Sequence, residues 1–253
     1  MRFRSIPKSG EPLPVIGLGT WQTFDVRNAK PLVAVLDRFV EAGGRLIDTS
    51  PMYGRAEEVV GEIRSDHRLF IATKVWTRGR EAGIAQMERS MKLLRATQID
   101  LMQIHNLVDW RVHLETLRRW KDEGRVRYIG ITHYHTGAFA DLESIMRSED
   151  IDFVQLPLSA ALPDAEERLL PLAQERGIAV IVNRPFEGGS LVSDPELLLR
   201  YVVSHPAVTC AIPATSNPEH LIENMRAGDV PALSMREREE LRKRLVSGRR
   251  AGS

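Results

Sequence analysis

Eight short apolar runs alternating with helical stretches along 253 residues predict an α/β fold, a (β/α)₈ or TIM barrel in a single domain spanning 1–253. Three observations predict it. The runs are continuously apolar, as parallel strands covered on both faces require. Each is followed by a stretch with 3.6-residue apolar spacing. The chain also has the length usual for one such barrel, about 250 residues. A doubly wound open sheet would usually carry Gly-x-Gly-x-x-Gly after its first strand, and Gly17-Leu18-Gly19-Thr20-Trp21-Gln22 lacks the third glycine.

Taken in order, residues 1–14 are expected to form a small hairpin around Ser9-Gly10 over the barrel bottom. Strands are predicted at 15–18, 45–47, 69–73, 99–104, 126–131, 153–156, 179–182 and 208–212. Leu32, Val35, Leu36, Phe39 and Val40 make the first helical stripe, stopped by Gly43-Gly44. Helices follow at 56–63 and 84–94. Leu114, Leu117 and Trp120 form a stripe ending at Gly124, and 139–146 supplies the next helix. Leu169, Leu170, Leu172 and Ala173 precede Gly177 in the same way. Helices at 195–203 and 218–225 start on Pro195 and Pro218, with Asp194 and Asn217 as caps. Residues 235–253 read as a charged helix with a frayed basic end at Arg249-Arg250.

A net charge of +1 with 27% charged residues gives no electrostatic reason to expect nucleic acid or a membrane as partner. The single cysteine, Cys210, lies in an apolar run and reads as a small buried hydrophobe. Neither a signal-peptide core nor an apolar run of ~20 residues is present. A reduced, cytoplasmic, monomeric protein is expected.

Four proton-handling residues fall at or just past strand ends: Asp48, Tyr53, Lys74 and His105. In a barrel, chemistry gathers where the strands end. A free phenol with a pKa near ~10 is a poor acid at neutral pH; the field of Lys74 is expected to lower that value and make Tyr53 a general acid. Asp48 would keep Lys74 charged, and His105 would hydrogen-bond a substrate carbonyl. Singly, each has a duller reading: a turn cap, a packed aromatic, a solvated lysine, a loop histidine.

Asp48-Thr49-Ser50-Pro51-Met52-Tyr53-Gly54, Lys74 and His105, with Gly17-Leu18-Gly19-Thr20-Trp21 upstream, resemble the aldo-keto reductases over about residues 13–226. The resemblance implies NAD(P)H-dependent reduction of aldehydes or ketones, with Tyr53 as general acid, Lys74 and Asp48 tuning it and His105 orienting the carbonyl. NADP(H) is the favoured cofactor, with NAD(H) as the alternative, and the partner is a small carbonyl compound.

The same resemblance assigns cofactor positions. Gln155 matches a glutamine that bonds the nicotinamide carboxamide. Thr132-His133 stands where the family has Ser-Asn, and Asn183 stands where it has a stacking aromatic, a π-face that Phe186 or Trp21 would have to supply. Arg184 beside Pro185 could pair with pyrophosphate, and Gly188-Gly189 would allow close backbone approach. Thr215 and Ser216 precede a helix N-terminus, an anion site, while Glu223 and Asn224 match an adenine-contacting pair. Ala214 and His220 occupy positions often basic in the family, which weakens the grip on a 2′-phosphate. Only residues 190–194 separate Gly189 from the next helix, so an open site with weak cofactor retention is expected.

Trp21, Trp76 and Trp110 are expected to wall the substrate pocket, together with Phe24 and Tyr134. No metal is expected in the site. Rival readings are a metal-dependent hydrolase built on His133-Tyr134-His135, a Schiff-base lyase using Lys74, and a non-catalytic nicotinamide-binding sensor or partner subunit on the same fold.

Overall fold

The structure is a computed structural model and describes residues 1–64, 67–191 and 194–251. An antiparallel hairpin, β1 (Phe3–Ser5) with β2 (Pro12–Pro14), precedes eight parallel strands. These are β3 (Leu18–Gly19), β4 (Leu46–Asp48), β5 (Phe70–Val75), β6 (Ile99–His105), β7 (Val126–Thr132), β8 (Phe153–Pro157), β9 (Ala179–Asn183) and β10 (Val208–Ala211), bonded in chain order. The seam from β10 back to the first strand is closed by parallel bridges Ile16–Ala211 and Gly19–Ala214. A Cβ on Gly19 would stand 2.7 Å from the Ile212 carbonyl oxygen, so glycine is what lets the seam approach. The result is a nearly closed (β/α)₈ barrel.

Helices α1 (Lys30–Glu41), α2 (Ala56–Ile63), α3 (Arg80–Leu93), α4 (Trp110–Asp122), α5 (Phe139–Ser148), α6 (Leu169–Arg176), α7 (Pro195–Val203), α8 (Pro218–Arg226) and α9 (Met235–Ala251) complete the described fold. The stripes read from sequence are the buried faces: α1 buries Leu32, Val35, Leu36 and Phe39. Asp194 accepts from the Leu197 N–H at 3.0 Å and Asn217 from the Glu219 N–H at 2.9 Å, so both caps are formed.

Several boundaries need correction, among them the helix expected at 84–94, which runs Arg80–Leu93. The first barrel strand is Leu18–Gly19 rather than 15–18, because Ile16 bonds toward β10 and only Leu18 and Gly19 pair with β4. Most later strands run one or two residues past their apolar stretch. Lys74 therefore lies inside β5, paired with Gln103, and Gln155 lies mid-strand in β8. An apolar run stops at the first polar side chain, but the backbone ladder continues while that side chain enters the barrel. At the other end of the chain, α9 continues to Ala251 instead of fraying at Arg249-Arg250; Gly252 and Ser253 lie outside the described residues. Pairs such as Arg236–Glu240 at 2.8 Å, and Arg238 donating to the Tyr201 carbonyl at 3.0 Å, hold that helix.

The hairpin covers the barrel floor as expected. Ile6 and Leu13 pack into a fully buried cluster with Leu46, Phe70, Leu101, Phe153 and Ile181 from inside the strands. That apolar plug leaves the opposite, C-terminal end of the barrel for polar groups. Among the described residues no helix is long and apolar enough to cross a membrane.

Gly61 marks the tightest helix contact around the barrel, where an added Cβ would lie 1.9 Å from the Leu93 carbonyl oxygen. A Gly61→Ala variant should therefore lose roughly 2 kcal/mol or more of stability in urea unfolding, as backbone must move to admit the methyl. An unchanged midpoint would contradict this packing.

Candidate active site

A cavity of about 520 Å³ opens at the C-terminal ends of the strands. Asp48, Tyr53, His105, Thr132 and Gln155 line its base, and Trp21, Met52 and Tyr134 line its mouth. Lys74 is fully buried beneath it.

The deepest interaction is an ion pair. Lys74 Nζ donates to Asp48 Oδ2 at 2.6 Å and to the Thr49 carbonyl at 2.8 Å. The other carboxylate oxygen, Oδ1, accepts from Gln103 Nε2 at 3.1 Å and Gln155 Nε2 at 2.9 Å. Burial alone would pull the Lys74 ammonium toward neutrality; Asp48, then Tyr53, more than offset it, and its pKa lies above the usual 10.5. The lysine stays charged.

Tyr53 sits in the turn that follows β4. Its backbone N–H donates to the Ser50 carbonyl at 3.0 Å, and Lys74 Nζ lies 5.1 Å from its ring centroid. The expected lowering of the phenol is corrected: its pKa is raised above the ordinary 10.0. Burial is the largest cause and outweighs the opposing Lys74 field, with Asp48 adding to the rise. Tyr53 is thus a protonated phenol at neutral pH.

His105 meets the Tyr53 ring edge-on, centroids 5.8 Å apart, and its Nδ1 lies 2.9 Å from Ser50 Oγ. Burial, then the Lys74 charge, then His133 push its pKa from 6.5 to about 2, so the imidazole is neutral. A partly buried acid held protonated, a neutral imidazole and a permanent cation around one cavity can deliver a proton to an electron-rich oxygen and stabilise what is left.

The match to known proteins has the same outline. The Aldo/keto reductase family model matches residues 15–196, most of the chain. The chain belongs to the aldo/keto reductase family. An aldo-keto reductase of Mycolicibacterium smegmatis is 28% identical to it, over 87% of this chain and 86% of that protein. The methylglyoxal reductase YeaE of Escherichia coli is 27% identical, over 88% of this chain and 89% of its own. A solved aldo-keto reductase from Klebsiella pneumoniae, in complex with NADPH, superposes with a TM-score of 0.83 at 26% identity, covering 96% of this chain and 95% of that one.

Within this family frame, the cavity gathers part of the residue set expected for the cofactor. Thr132, Gln155, Asn183, Arg184, Pro185, Phe186, Gly188 and Gly189 line it. Both ends of the Gln155 amide are engaged inside the protein, since Oε1 accepts from Thr132 Oγ1 at 3.0 Å. His133 stands beside it, stacked on Tyr134 at 5.4 Å, and Arg184 lies 5.7 Å from the Tyr134 ring centroid. Thr215, Ser216, His220, Glu223 and Asn224 are not in the cavity wall; the first two precede α8 and the other three lie along it. Thr215 Oγ1 accepts from the Asn217 N–H at 3.0 Å. The short 190–194 segment includes Val192 and Ser193, outside the described residues.

The aromatic wall needs revision. Trp21 lines the cavity. Trp76 is not among its walls, although its ring lies 6.4 Å from that of His105. Trp110 is also absent from the walls; it begins α4, packs on the hydrophobic core and is covered by the Arg111 guanidinium at 4.3 Å. Phe24 is fully buried in the core. Sequence reading missed Gln103, Ser50, Met52 and Asn106. Gln103, two residues before His105, shared its inward-facing side of β6 and could have been found by that parity. The histidines of the 133–135 tract spend their Nδ1 lone pairs on the turn, accepting from His135 N–H and Gly137 N–H. Among the described residues they join no group of three metal-ligand side chains.

Because His105 binds a proton only in the unfolded chain, its contribution to stability is complete above pH 6.5 and is lost as pH falls toward 2. Comparing wild type with His105→Gln in urea titrations, the wild type should lose roughly 2 kcal/mol more between pH 6.5 and 4.5. Parallel pH curves would contradict a neutral buried His105.

Proposed function

We propose that this chain reduces aldehydes or ketones to alcohols at the expense of NADPH, with Tyr53 as the proton donor. The observation that carries the reading is the fully buried Lys74 ammonium, bonded to Asp48 at 2.6 Å and lying beneath the Tyr53 ring at the cavity base. The cavity fits the nicotinamide half of such a cofactor: its wall carries backbone-accessible glycines at 188 and 189, the Arg184 guanidinium and the Thr132–Gln155–Asn183 polar cluster. NADP(H) is favoured by the NADPH- and NADP-complexed Klebsiella pneumoniae relatives.

When bound, NADPH supplies the hydride. Tyr53 gives its phenolic proton to the carbonyl oxygen as the carbonyl carbon is reduced. Its raised pKa keeps that proton in place at neutral pH, and the Lys74 charge stabilises the phenolate that remains. Asp48 balances Lys74, so the cation neither loses its proton nor turns away. His105, neutral, offers an N–H to the same carbonyl oxygen and sets its orientation. Trp21, Met52 and Tyr134, all substantially exposed at the mouth, present apolar surface to the rest of the substrate.

A panel of aldehydes assayed with NADPH and with NADH, following absorbance of the reduced cofactor, tests this directly. Tyr53→Phe should reduce turnover by about 100-fold or more while changing cofactor affinity by only a few fold. Undiminished turnover in that variant would sink the mechanism. Cofactor binding without any turnover in the wild type would favour the sensor reading.

A further inference from the structure

A neutral imidazole has two tautomers, and only one of them can donate a hydrogen bond from a given nitrogen. Which one is present is set by the partner of the other nitrogen. For His105 that partner is Ser50, whose Oγ lies 2.9 Å from Nδ1. His105 lines the cavity, whereas Ser50 is fully buried and does not. Among the described residues the Nε2 atom has no hydrogen-bond partner, it is not one of the fully buried unpaired atoms, and His105 lines the cavity.

The neighbours of Ser50 decide the direction of the bond. A serine hydroxyl has one donor and two acceptor sites. One acceptor site already takes the Met52 N–H at 3.2 Å. If Nδ1 carried the proton, it would donate into the remaining acceptor site, and the hydroxyl hydrogen would need a further acceptor. Among the described residues Ser50 Oγ has no hydrogen-bond partner besides Met52 N and His105 Nδ1. A fully buried hydroxyl would then hold an unmatched donor. The opposite direction satisfies every group: Met52 N–H into Ser50 Oγ, Ser50 O–H into His105 Nδ1, and the ring proton on Nε2.

We infer that Ser50 is a positioning residue for the reaction, its hydroxyl fixing His105 as the Nε2–H tautomer and so aiming an N–H donor into the cavity where the carbonyl oxygen binds. The inference rests on the proposed reductase reading for its consequence, although the hydrogen-bond direction stands on geometry alone. The neutral state of the ring, enforced by burial and by Lys74, is what makes the choice of tautomer matter. Ser50 also accepts the Tyr53 N–H on its carbonyl at 3.0 Å, so one residue holds both the phenol's backbone and the imidazole's ring.

Long-range ¹H–¹⁵N spectra of histidine-labelled protein, with His105→Gln to assign the resonance, read the tautomer without any turnover. The wild type should show Nε2 protonated and Nδ1 bare. In Ser50→Ala the two tautomers should mix, and kcat for aldehyde reduction should fall about 10-fold, with a smaller change in KM. Ser50→Thr, which keeps the hydroxyl, should restore the wild-type tautomer, and thermal melts monitor folding of each variant. A proton on Nδ1 in the wild type, or a Ser50→Ala spectrum identical to wild type, would overturn the inference. If the tautomer is as inferred but His105→Gln turns over normally, the carbonyl-orienting role of His105 fails instead, and with it the role of Ser50 in the reaction.

Discussion

A lysine ammonium with no access to solvent is among the costliest groups a barrel interior can hold, and the arrangement around Lys74 is what makes it tolerable. Asp48 supplies the counter-charge at 2.6 Å, and the Thr49 carbonyl takes a second donor. Asp48 in turn has its second oxygen filled by the amides of Gln103 and Gln155. Four strands, β4, β5, β6 and β8, therefore meet in one polar knot inside the nearly closed barrel. Tyr53 and His105 are placed by the same segment that carries Asp48, since residues 48–53 supply the carboxylate, the Thr49 carbonyl, the Ser50 hydroxyl and the phenol.

The knot also explains why the electrostatics differ from a simple pairwise picture. Lys74 does lower the Tyr53 phenol, but the burial that makes the lysine field strong also penalises the phenolate, and burial wins. The same charge and the same burial act together on His105 and keep it neutral. One cation thus sits among a protonated phenol and an uncharged imidazole, a state suited to giving a proton away. For the proposed carbonyl reduction that is the useful state.

Much of this was legible in the chain because it is local. Apolar runs ended where chemistry began, and Asp194 and Asn217 capped helices that proline opened. What was not legible depended on register. Gln103 reaches Asp48 only because β6 pairs with β5 so that Gln103 stands opposite Lys74. Ser50 acquires a role only when His105 is brought beside it from 55 residues away. Trp110 and Phe24 looked like pocket walls by their nearness to strand exits, yet one opens α4 and packs against the core and the other is buried within it. The direction of the Tyr53 shift needed the depth of burial, which no spacing in the sequence encodes. On the cavity wall proposed to meet the cofactor, Asn183, where the resemblance implied an aromatic, donates its amide to the His133 carbonyl at 3.2 Å.

The central claim is that Asp48 and Lys74 act as one unit on Tyr53. The most direct test is a double-mutant cycle of Asp48→Asn and Lys74→Met, read as kcat/KM for NADPH-dependent aldehyde reduction. If the pair is a unit, either single substitution should cost about as much as both together. Losses that simply multiply would mean that the carboxylate and the ammonium act independently, and would contradict the account.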